Sequence, residues 1–414
     1  MEEYEDVIKK RFNDSSFDYR AKAFREYLKS PVRTFKESPT VKDYVEISSE
    51  ELESMLIESD VSAKEDQRFS PDSQVRIVDD RIVSISDDVK NKGVIILDYL
   101  SAVSADNKEI EPYLNSYFGS EKEEYIINAA WKNGFVIYVP EGIRGLTINI
   151  ESFSDASKSI ASKNVIICGD DSSVDINDVY RSFGNGQGVH GKTLYLYVGK
   201  RSTLKYNYLQ EKESEVLDIA FVKSFLSEFS EFTFYHVNRG ASRVLFSNTS
   251  YMEGEGSNFK TYGISYSDAS QKFDIRDSSF QIGIASSADI KVRGVVKGKS
   301  LTIHRGNIDI EEKSIKATGF YDSRILLLSK DGYANSKPGL IIRNNNTKSK
   351  HASAISSLDR EQVFYLRSRG IPEAVARSML TEGFLLANLE NSSSEILIDK
   401  VHSYSEEITR ERQS

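Results

Sequence analysis

The feature that most constrains the fold of this chain is a stretch of short strand-like runs over residues 135–355. In each run apolar and polar side chains alternate, as in a half-buried β-strand, and Gly, Asn, Asp and Ser separate the runs. No helical interval lies between the runs, which argues against strand–helix–strand units. The last two runs are 340–343 and 347–355, joined by three asparagines that indicate a turn. A stretch of about 220 residues of this kind fits a β-sandwich, a large β-barrel or a β-solenoid.

Helical patterns precede this stretch. Residues 1–30 show helical spacing that ends before Pro31, and a second helix is predicted within 108–131. Residues 50–74 are acidic and rich in serine, and we expect them to be loosely ordered. The candidate core contacts of the first helix are Phe17, Phe24, Tyr27 and Leu28.

A helical hairpin is predicted after the last strand. Asp359 is a good N-cap for a helix over 360–369, and Gly370 can supply the left-handed residue that ends it. Pro372 then opens a second helix. The apolar stripe of this second helix consists of Val375, Met379, Leu380, Phe384 and Ala387.

Charge and cysteine content exclude several classes of function. The formal net charge of -9 argues against nonspecific nucleic-acid binding. The first residues, MEEYED, are acidic where a secretion signal is basic, and no apolar run approaches the roughly 20 residues that a membrane span needs. We therefore expect a cytoplasmic protein without a membrane partner. Cys168 is the only cysteine, so neither an intramolecular disulfide nor a cysteine-based cluster site fits within one chain, and a buried structural thiol is expected.

Three segments together carry a resemblance to a known family. They are INAAWKNGFVIYVPEGI at 127–143, LLLS at 326–329, and LDREQVFYLRSRGI at 358–371 after a histidine in a short strand. This set resembles the SufB/SufD family of iron-sulfur cluster assembly proteins. The resemblance implies a mainly β fold, a right-handed parallel β-helix flanked by helical segments. The expected regions are an N-terminal helical and mixed region at 1–133, the β-helix at 134–356 and a C-terminal helical domain at 357–414.

His351 is the sharpest candidate site residue. Strand alternation places Lys348 and Lys350 on one face, so His351 points inward or into an interface. The residues alone favour a core or interface histidine held by Ser349 or Ser353. The resemblance implies instead that His351 lies at the interface with a SufB partner and takes part in cluster assembly, as a metal ligand completed by a partner chain.

Two departures from the family pattern bear on that role. Ser349 stands where many members have a cysteine, and Ala352 stands where SufB-type members have a glutamate. Both changes remove candidate metal ligands, so the chain looks more like the SufD type. We expect no tightly bound cofactor, and a transient iron-sulfur cluster at a subunit interface.

The C-terminal helices carry a second candidate site. They could simply pack onto the last coil of the β stretch, but the resemblance implies that they dock SufC, an ATPase of the ABC type. The residues proposed for this docking are Phe364, Tyr365, Arg367, Arg369, Gly370, Val375, Met379, Leu380 and Phe384.

A phosphate-loop pattern occurs at residues 186–193, GQGVHGKT. The mechanism of such a loop needs a helix directly after it, so that backbone N–H groups and the helix dipole meet the phosphates. Here LYLYV follows, which is a strand pattern, so we do not expect a nucleotide site. The other histidines, His190, His236, His304 and His402, lack metal-ligand spacing and are predicted to be structural or exposed.

Four hypotheses follow. The first is a SufD-like scaffold subunit without catalytic turnover, which holds SufC and pairs through the end of the β-helix with a SufB-type paralogue or with itself. In the family, ATP-driven motion of SufC would pass through the docked helices to the cluster site. The second is a SufB-like or homodimeric scaffold that ligates a cluster itself. The third, from another class, is a carbohydrate-active β-helix enzyme, and the fourth is nucleotide hydrolysis at residues 186–193.

Overall fold

The computed structural model describes residues 16–31, 45–57, 68–117 and 119–410. The strands are β1 (Val75–Val78), β2 (Arg81–Ile85), β3 (Ile95–Asp98), β4 (Phe135–Val139), β5 (Leu146–Asp155), β6 (Ile160–Cys168), β7 (Ser173–Phe183), β8 (Val189–Val198), β9 (Thr203–Lys212), β10 (Leu217–Leu226), β11 (Glu231–Gly240), β12 (Arg243–Met252), β13 (Asn258–Ser267), β14 (Lys272–Gln281), β15 (Ser287–Val296), β16 (Leu301–Ile310), β17 (Thr318–Leu327), β18 (Tyr333–Ile342) and β19 (Lys348–Ser357). The helices are α1 (Phe17–Lys29), α2 (Ser49–Ser54), α3 (Asp87–Lys90), α4 (Tyr99–Ser104), α5 (Glu111–Leu114), α6 (Lys122–Ala130), α7 (Arg360–Ser368), α8 (Glu373–Leu386) and α9 (Glu395–Arg410).

These strands form two sheets. One has ten strands in the order β19-β17-β15-β13-β11-β9-β7-β5-β1-β2, and the other has nine in the order β18-β16-β14-β12-β10-β8-β6-β4-β3. From β4 onward successive strands alternate between the two sheets, and neighbours within each sheet are parallel. The sixteen strands β4 to β19 therefore wind as a β-solenoid of eight coils. The parallel β-helix expected from the resemblance is confirmed.

Equivalent residues of successive coils stack in register. Tyr321 of β17, for example, pairs with Ile290 of β15 on one side and with His351 of β19 on the other. One inward row consists of Ile148, Ile176, Tyr206, Phe234, Thr261, Ile290, Tyr321 and His351. All of its members except the last are buried. Burial of such rows between coils supplies most of the hydrophobic stabilisation of the solenoid.

The N-terminal helices cover the outer face of the nine-stranded sheet. The Arg20 guanidinium lies over the Trp131 ring, 3.4 Å from its centroid, and donates to the Trp131 carbonyl at 2.5 Å. Gly191 of β8 lets α2 and α6 approach closely, since a Cβ there would lie 2.7 Å from both Ile127 and Met55. The absence of a side chain at this strand position thus sets how closely the helices sit on the sheet.

The C-terminal helices α8 and α9 cover the ten-stranded sheet. Leu385, Val401 and Tyr404 join Val237 and Ile264 of the sheet in one buried apolar cluster. The solenoid therefore has a helical layer on each of its two sheets. At its two ends the outermost elements of the sheets are strands, β18 and β19 at one end and β2 and β3 at the other.

Several helix predictions need correction. The helix predicted within 108–131 is present as α6, but a second short helix, α5, precedes it, and Gly119 between them has φ +120, which a right-handed helix cannot include. Part of 50–74 is ordered, since Ser48 and Glu51 form a capping box that starts α2. Residues 58–67 lie outside the described part of the chain.

The first predicted helix is described only in part. It begins at Phe17, and residues 1–15 lie outside the described part. Phe24 and Tyr27 are buried and Phe17 is partly buried, but Leu28 is 39% exposed, so its assignment to the core was wrong. At 100° per residue Leu28 falls at the edge of the buried face, which is centred near Arg20 and Phe24.

The C-terminal prediction was largely correct. Both predicted strands are present as parts of β18 and β19, and α7 ends before Gly370, whose φ is +86. Pro372 is the N-cap of α8 rather than a residue within it. The third helix, α9, was not predicted.

Candidate functional site

One end of the solenoid carries two strands with a free edge. β19 is the outermost strand of the ten-stranded sheet and β18 that of the nine-stranded sheet, and each is ten residues long. Within the described ranges no strand pairs with their outer edges. Four large apolar side chains of this end are between 42% and 43% exposed, namely Tyr333, Ile341, Ile342 and Ile355. A long, flat and partly apolar edge of this kind is a template for pairing with another chain.

His351 lies at this free end. Its register partner Tyr321 belongs to an inward row, so the side that His351 shares with Ser349 is the inward one, as alternation predicted. The residue is nevertheless exposed, because no further coil lies above β19 within the described part of the chain. The inward row therefore ends in an accessible imidazole.

The described residues do not hold a cluster or metal by themselves. No group of three or more His, Cys, Asp or Glu side chains within these ranges is arranged to bind a metal ion. Cys168 ends β6, which is six strand spacings from β18 in the same sheet, or about 29 Å. Its thiol lies 3.0 Å from the Ser172 hydroxyl, and burial raises the pKa of Cys168 to about 11. Within the described part of the chain, His351 therefore does not belong to a ready-made site of three ligands.

The residues proposed for ATPase docking fall into an exposed and a half-buried set. Helix α7 buries none of its side chains, and Phe364 and Tyr365 are 71% and 57% exposed. Val375 and Met379 on α8 are exposed as well. These four apolar side chains are here called the hairpin surface. Large apolar groups left in water on two adjacent helices are typical of an interaction surface.

The other members of that set have different surroundings. The Arg369 guanidinium lies over the Tyr365 ring at 5.3 Å, and Arg367 forms an ion pair with Glu373 at 3.5 Å. Leu380 and Phe384 are half-buried. The ring of Phe384 faces the solenoid, where the Arg293 guanidinium lies 5.0 Å from its centroid.

Polar contacts hold α8 and α9 on the ten-stranded sheet. The Asn388 amide donates to the carbonyls of Gly263 and Lys291 at 2.9 and 3.0 Å, and its oxygen accepts from Arg293 at 3.0 Å. The ammonium of Lys400 on α9 lies 2.8 Å from a carboxylate oxygen of Glu211. These contacts fix α8, which carries Val375 and Met379 of the hairpin surface, on the ten-stranded sheet.

The phosphate-loop pattern at residues 186–193 does not form a phosphate loop. Its second half begins β8, so no helix starts there. Lys192 points into the solenoid, where its ammonium lies 2.6 Å from Asp178 Oδ2. The strand context that argued against a nucleotide site is confirmed, and Lys192 has a structural partner.

Sequence reasoning missed a buried polar cluster inside the solenoid. Asp178 and Lys192 belong to it, together with Lys212 and Asp218. Burial lowers the pKa of Lys212 to about 7 and raises that of Asp218 to about 6, although the charges of Lys212 and Lys192 oppose the latter shift. Strand alternation could have found these residues, because all four occupy inward positions.

The buried histidines are structural, as predicted. His190, His236 and His304 are fully buried, and the His236 Nε2 lies 3.2 Å from both carboxylate oxygens of Asp277. His402 lies on α9 and its Nδ1 is 2.8 Å from Glu382.

Comparison with known proteins decides the family. A family model described as SUF system FeS cluster assembly, SufBD core domain, matches residues 151–384, which is more than half of the 414 residues. The chain belongs to the SufBD core family. The match runs from β5 to α8, so it includes both His351 and the hairpin surface. The resemblance stated from the sequence is confirmed.

Relatives of the SufBD family are similar at low identity. One is an iron-sulfur cluster assembly SufBD family protein of Staphylococcus epidermidis, 24% identical over 307 residues. Another is the iron-sulfur cluster assembly protein SufD of Bacillus subtilis, 26% identical over 327 residues. These alignments cover 72% and 73% of this chain, and 65% and 71% of the relatives. The matched region thus spans about two thirds of the length of such relatives.

No helix in the described ranges is long and apolar enough to cross a membrane.

Proposed function

We propose that the protein is a SufD-like, non-catalytic subunit of an iron-sulfur cluster assembly scaffold that pairs with a SufB-type chain through the β18 and β19 end. The observation that carries this proposal is the pair of free strand edges at one end of the solenoid. A partner that adds one coil would extend both sheets at once, with backbone hydrogen bonds along ten residues of each edge. It would also cover the half-exposed Ile342 and Ile355.

His351 has a defined place in this proposal. The imidazole stands at the end of an inward row, so a partner coil would enclose it between the two chains. Neutral imidazole is a suitable ligand for iron. The cluster is the cargo of the assembly, and His351 would contribute one of its ligands while the partner supplies the rest.

The hairpin surface would receive the ABC-type ATPase. Phe364, Tyr365, Val375 and Met379 present apolar area on two adjacent helices, of which α8 is held on the solenoid. Docking of the ATPase here would couple its movement to the rest of the subunit through α8 and the strands beneath it. The ATPase is the catalytic partner, and this chain has no turnover of its own in the proposal.

Co-purification tests the subunit assignment. The chain is expressed with the SufB-type protein and the ABC ATPase of the same organism, and the complex is sized by light scattering. A complex that contains all three chains supports the proposal. A complex with the ATPase and two copies of this chain would replace the proposal by a homodimeric scaffold, and absence of both partners would refute it.

Point variants test the docking surface. Phe364→Ala combined with Met379→Ala removes two apolar contacts and is expected to weaken ATPase binding by roughly 2 kcal/mol or more. The matched control is Phe229→Ala combined with Ile284→Ala, because these side chains are also exposed, at 59% and 42%, but lie on solenoid turns. Equal affinity of both variants would refute the assignment.

Reconstitution tests the role of His351. The complex with the SufB-type chain is loaded with iron and sulfide, and the visible absorbance of the cluster is followed. His351→Ala is expected to lower the absorbance, whereas His402→Ala, at a half-exposed histidine of α9, is the control. An unchanged spectrum for His351→Ala would remove this residue from the cluster site.

A further inference from the structure

The hairpin of β1 and β2 closes through a turn of only two residues, Asp79 and Asp80. Both have positive φ, 46° and 70°, which is the backbone of a type I′ turn. Glycine is preferred at the second of these positions, so the aspartate side chain at residue 80 leaves the backbone strained. The side chains of this turn must therefore make contacts that offset the strain.

Asp79 makes such contacts with the end of β5 and the bend after it. Its Oδ1 accepts the backbone N–H of Asp155 at 2.9 Å, and its Oδ2 lies 2.6 Å from the Lys158 ammonium. Its own backbone N–H donates to the Phe153 carbonyl at 3.0 Å. These bonds tie one half of the turn to the solenoid and do not involve the Asp80 side chain.

Asp80 lies in a different environment. The residue is 5% exposed, and no described group donates a hydrogen bond to its Oδ2. Burial and the Asp79 carboxylate raise the pKa of Asp80 to about 7, although the charges of Lys212, Lys192 and Lys132 oppose this shift. Because Lys212 and Lys192 belong to the buried polar cluster inside the solenoid, Asp80 extends that cluster to the turn of the hairpin.

The carboxylates of this extended cluster lack hydrogen-bond donors. Asp178 Oδ2 accepts from the Lys192 ammonium, but within the described ranges Asp178 Oδ1 and both carboxylate oxygens of Asp218 have no donor. The Lys212 ammonium lies over the Tyr180 ring instead. Buried polar atoms are nearly always hydrogen-bonded, and a proton on a carboxylate turns one acceptor into a donor. The unpartnered oxygens therefore point to a proton as the missing ligand.

The charges of the cluster lead to the same conclusion. The carboxylates of Asp80, Asp178 and Asp218 face the ammonium groups of Lys192 and Lys212, so one negative charge is in excess when all five groups are ionised. A proton taken up from water neutralises this charge without occupying space. Burial keeps the surrounding rings neutral, because it raises the pKa of each phenol and lowers that of the imidazole. These rings are Tyr180, Tyr206, Tyr208 and His190.

We propose that the Asp80 carboxyl is a pH-sensitive latch, which closes the β1–β2 hairpin on the solenoid when it holds a proton and loosens the hairpin when it is ionised. The carboxyl of a released hairpin ionises near pH 4, whereas the closed one keeps its proton up to about pH 7. Closure is therefore favoured at low pH, and this advantage is lost as the pH rises from about 4 to about 7.

Opening of the latch would change one end of the ten-stranded sheet. β1 pairs with residues 150–153 of β5, so release of the hairpin would leave this part of β5 as a free edge. A free edge can pair with a strand of another chain. The end of the solenoid opposite to β18 and β19 would thus be open to pairing at neutral pH and closed in acid.

Hydrogen exchange of the full chain, followed by mass spectrometry between pH 5.5 and 7.5, tests the latch. The protection factors of the β1 and β2 amides, corrected for the intrinsic exchange rate, should fall roughly tenfold over this range, while those of β13 should stay constant. In Asp80→Asn, which keeps the shape of the protonated carboxyl, the fall should be absent. The matched control is Asp87→Asn, since this side chain follows β2 closely, is 87% exposed and removes the same charge. It should keep the fall.

A second variant guards against misfolding of the first. Asp80→Gly also lacks the carboxyl, and glycine suits this turn, so the hairpin should have the same protection at every pH. Protection that does not change with pH in the unaltered chain overturns the proposal, as does a fall that persists in both Asp80 variants. A fall that disappears in Asp218→Asn but persists in the Asp80 variants assigns the proton to Asp218 and likewise overturns the latch.

Discussion

Lys192 shows how a single buried charge depends on its partner. Its ammonium lies 2.6 Å from Asp178 Oδ2, and the Tyr206 hydroxyl donates to the same oxygen at 2.6 Å. Lys192→Met would leave the buried Asp178 carboxylate without its ion-pair partner, so we expect the free energy of unfolding to fall by about 3–5 kcal/mol. Urea denaturation followed by circular dichroism measures this loss.

The double variant Lys192→Met with Asp178→Leu is the control for that loss. It removes both charges and fills the space with apolar atoms, so most of the stability should return. If the single and double variants are equally unstable, the loss comes from packing and not from the unpaired carboxylate. Neither variant should change ATP binding, since residues 186–193 form no phosphate loop.

His304 should make the stability of the protein depend on pH. Its ring nitrogens lie 2.9 Å from the Ser265 hydroxyl and 3.1 Å from the Ser323 hydroxyl, and burial lowers the pKa of His304 to about 4. An unfolded histidine titrates near pH 6.5, so between pH 6.5 and 4 the unfolded state binds more protons. The stabilisation is therefore complete above about pH 6.5 and is lost as pH falls toward 4, by up to about 3 kcal/mol.

Unfolding measured across pH 4 to 7 tests this expectation. His304→Gln should show a smaller loss of stability on acidification than the unaltered chain, while His402→Gln, whose side chain is 46% exposed, should keep the full slope. Most carboxylates have the same surroundings in both variants, so the difference in slope reports chiefly the buried imidazole. Parallel pH curves for all three proteins would contradict the assignment.

At the scale of elements, local chemistry predicts the strands better than the helices. Alternation located β18 and β19, and Gly370 marked the end of α7, because both signals are local. The helix predicted within 108–131 is present as α6, but the separate short helix α5 before Gly119 was not predicted, since only the three-dimensional structure shows the φ of +120 at that glycine. A signal for α9 was present: Leu397, Val401, Tyr404 and Ile408 are buried at helical spacing.

Asn388 should contribute strongly to holding α8 and α9 on the ten-stranded sheet. It is 2% exposed and bridges the end of α8 to two strand carbonyls and to Arg293. Asn388→Leu would remove these hydrogen bonds and leave buried polar groups unsatisfied, which costs about 2–4 kcal/mol in total. Hydrogen exchange should then be faster in α8 and α9 than in the strands. The neighbouring exposed Asn391→Leu should leave the exchange unchanged.

For the whole molecule, sequence reasoning found the positions of the candidate site but not their surroundings. Alternation placed His351 on the inward side, yet whether a further coil covers it depends on where the solenoid stops. The apolar residues of the second helix were predicted as one stripe, and the structure turns Phe384 toward the solenoid but leaves Met379 exposed. Alternation gives the inward positions of Lys192 and Asp178, but their pairing escaped prediction because they lie on different strands, which only the winding of the chain brings together.

The uncovered end should also govern the behaviour of the protein without partners. Two ten-residue edges with half-exposed Ile342 and Ile355 favour pairing between copies, so the isolated chain should self-associate as its concentration rises. Ile342→Lys with Ile355→Lys places charges at this end, and we expect it to weaken self-association at least tenfold. Sedimentation velocity over a range of concentrations measures the effect.

Phe229→Lys with Ile284→Lys adds the same charges elsewhere and should associate like the unaltered chain. If both variants associate to the same extent, net charge and not the free strand edges controls association. That result would argue against the β18 and β19 end as the pairing surface.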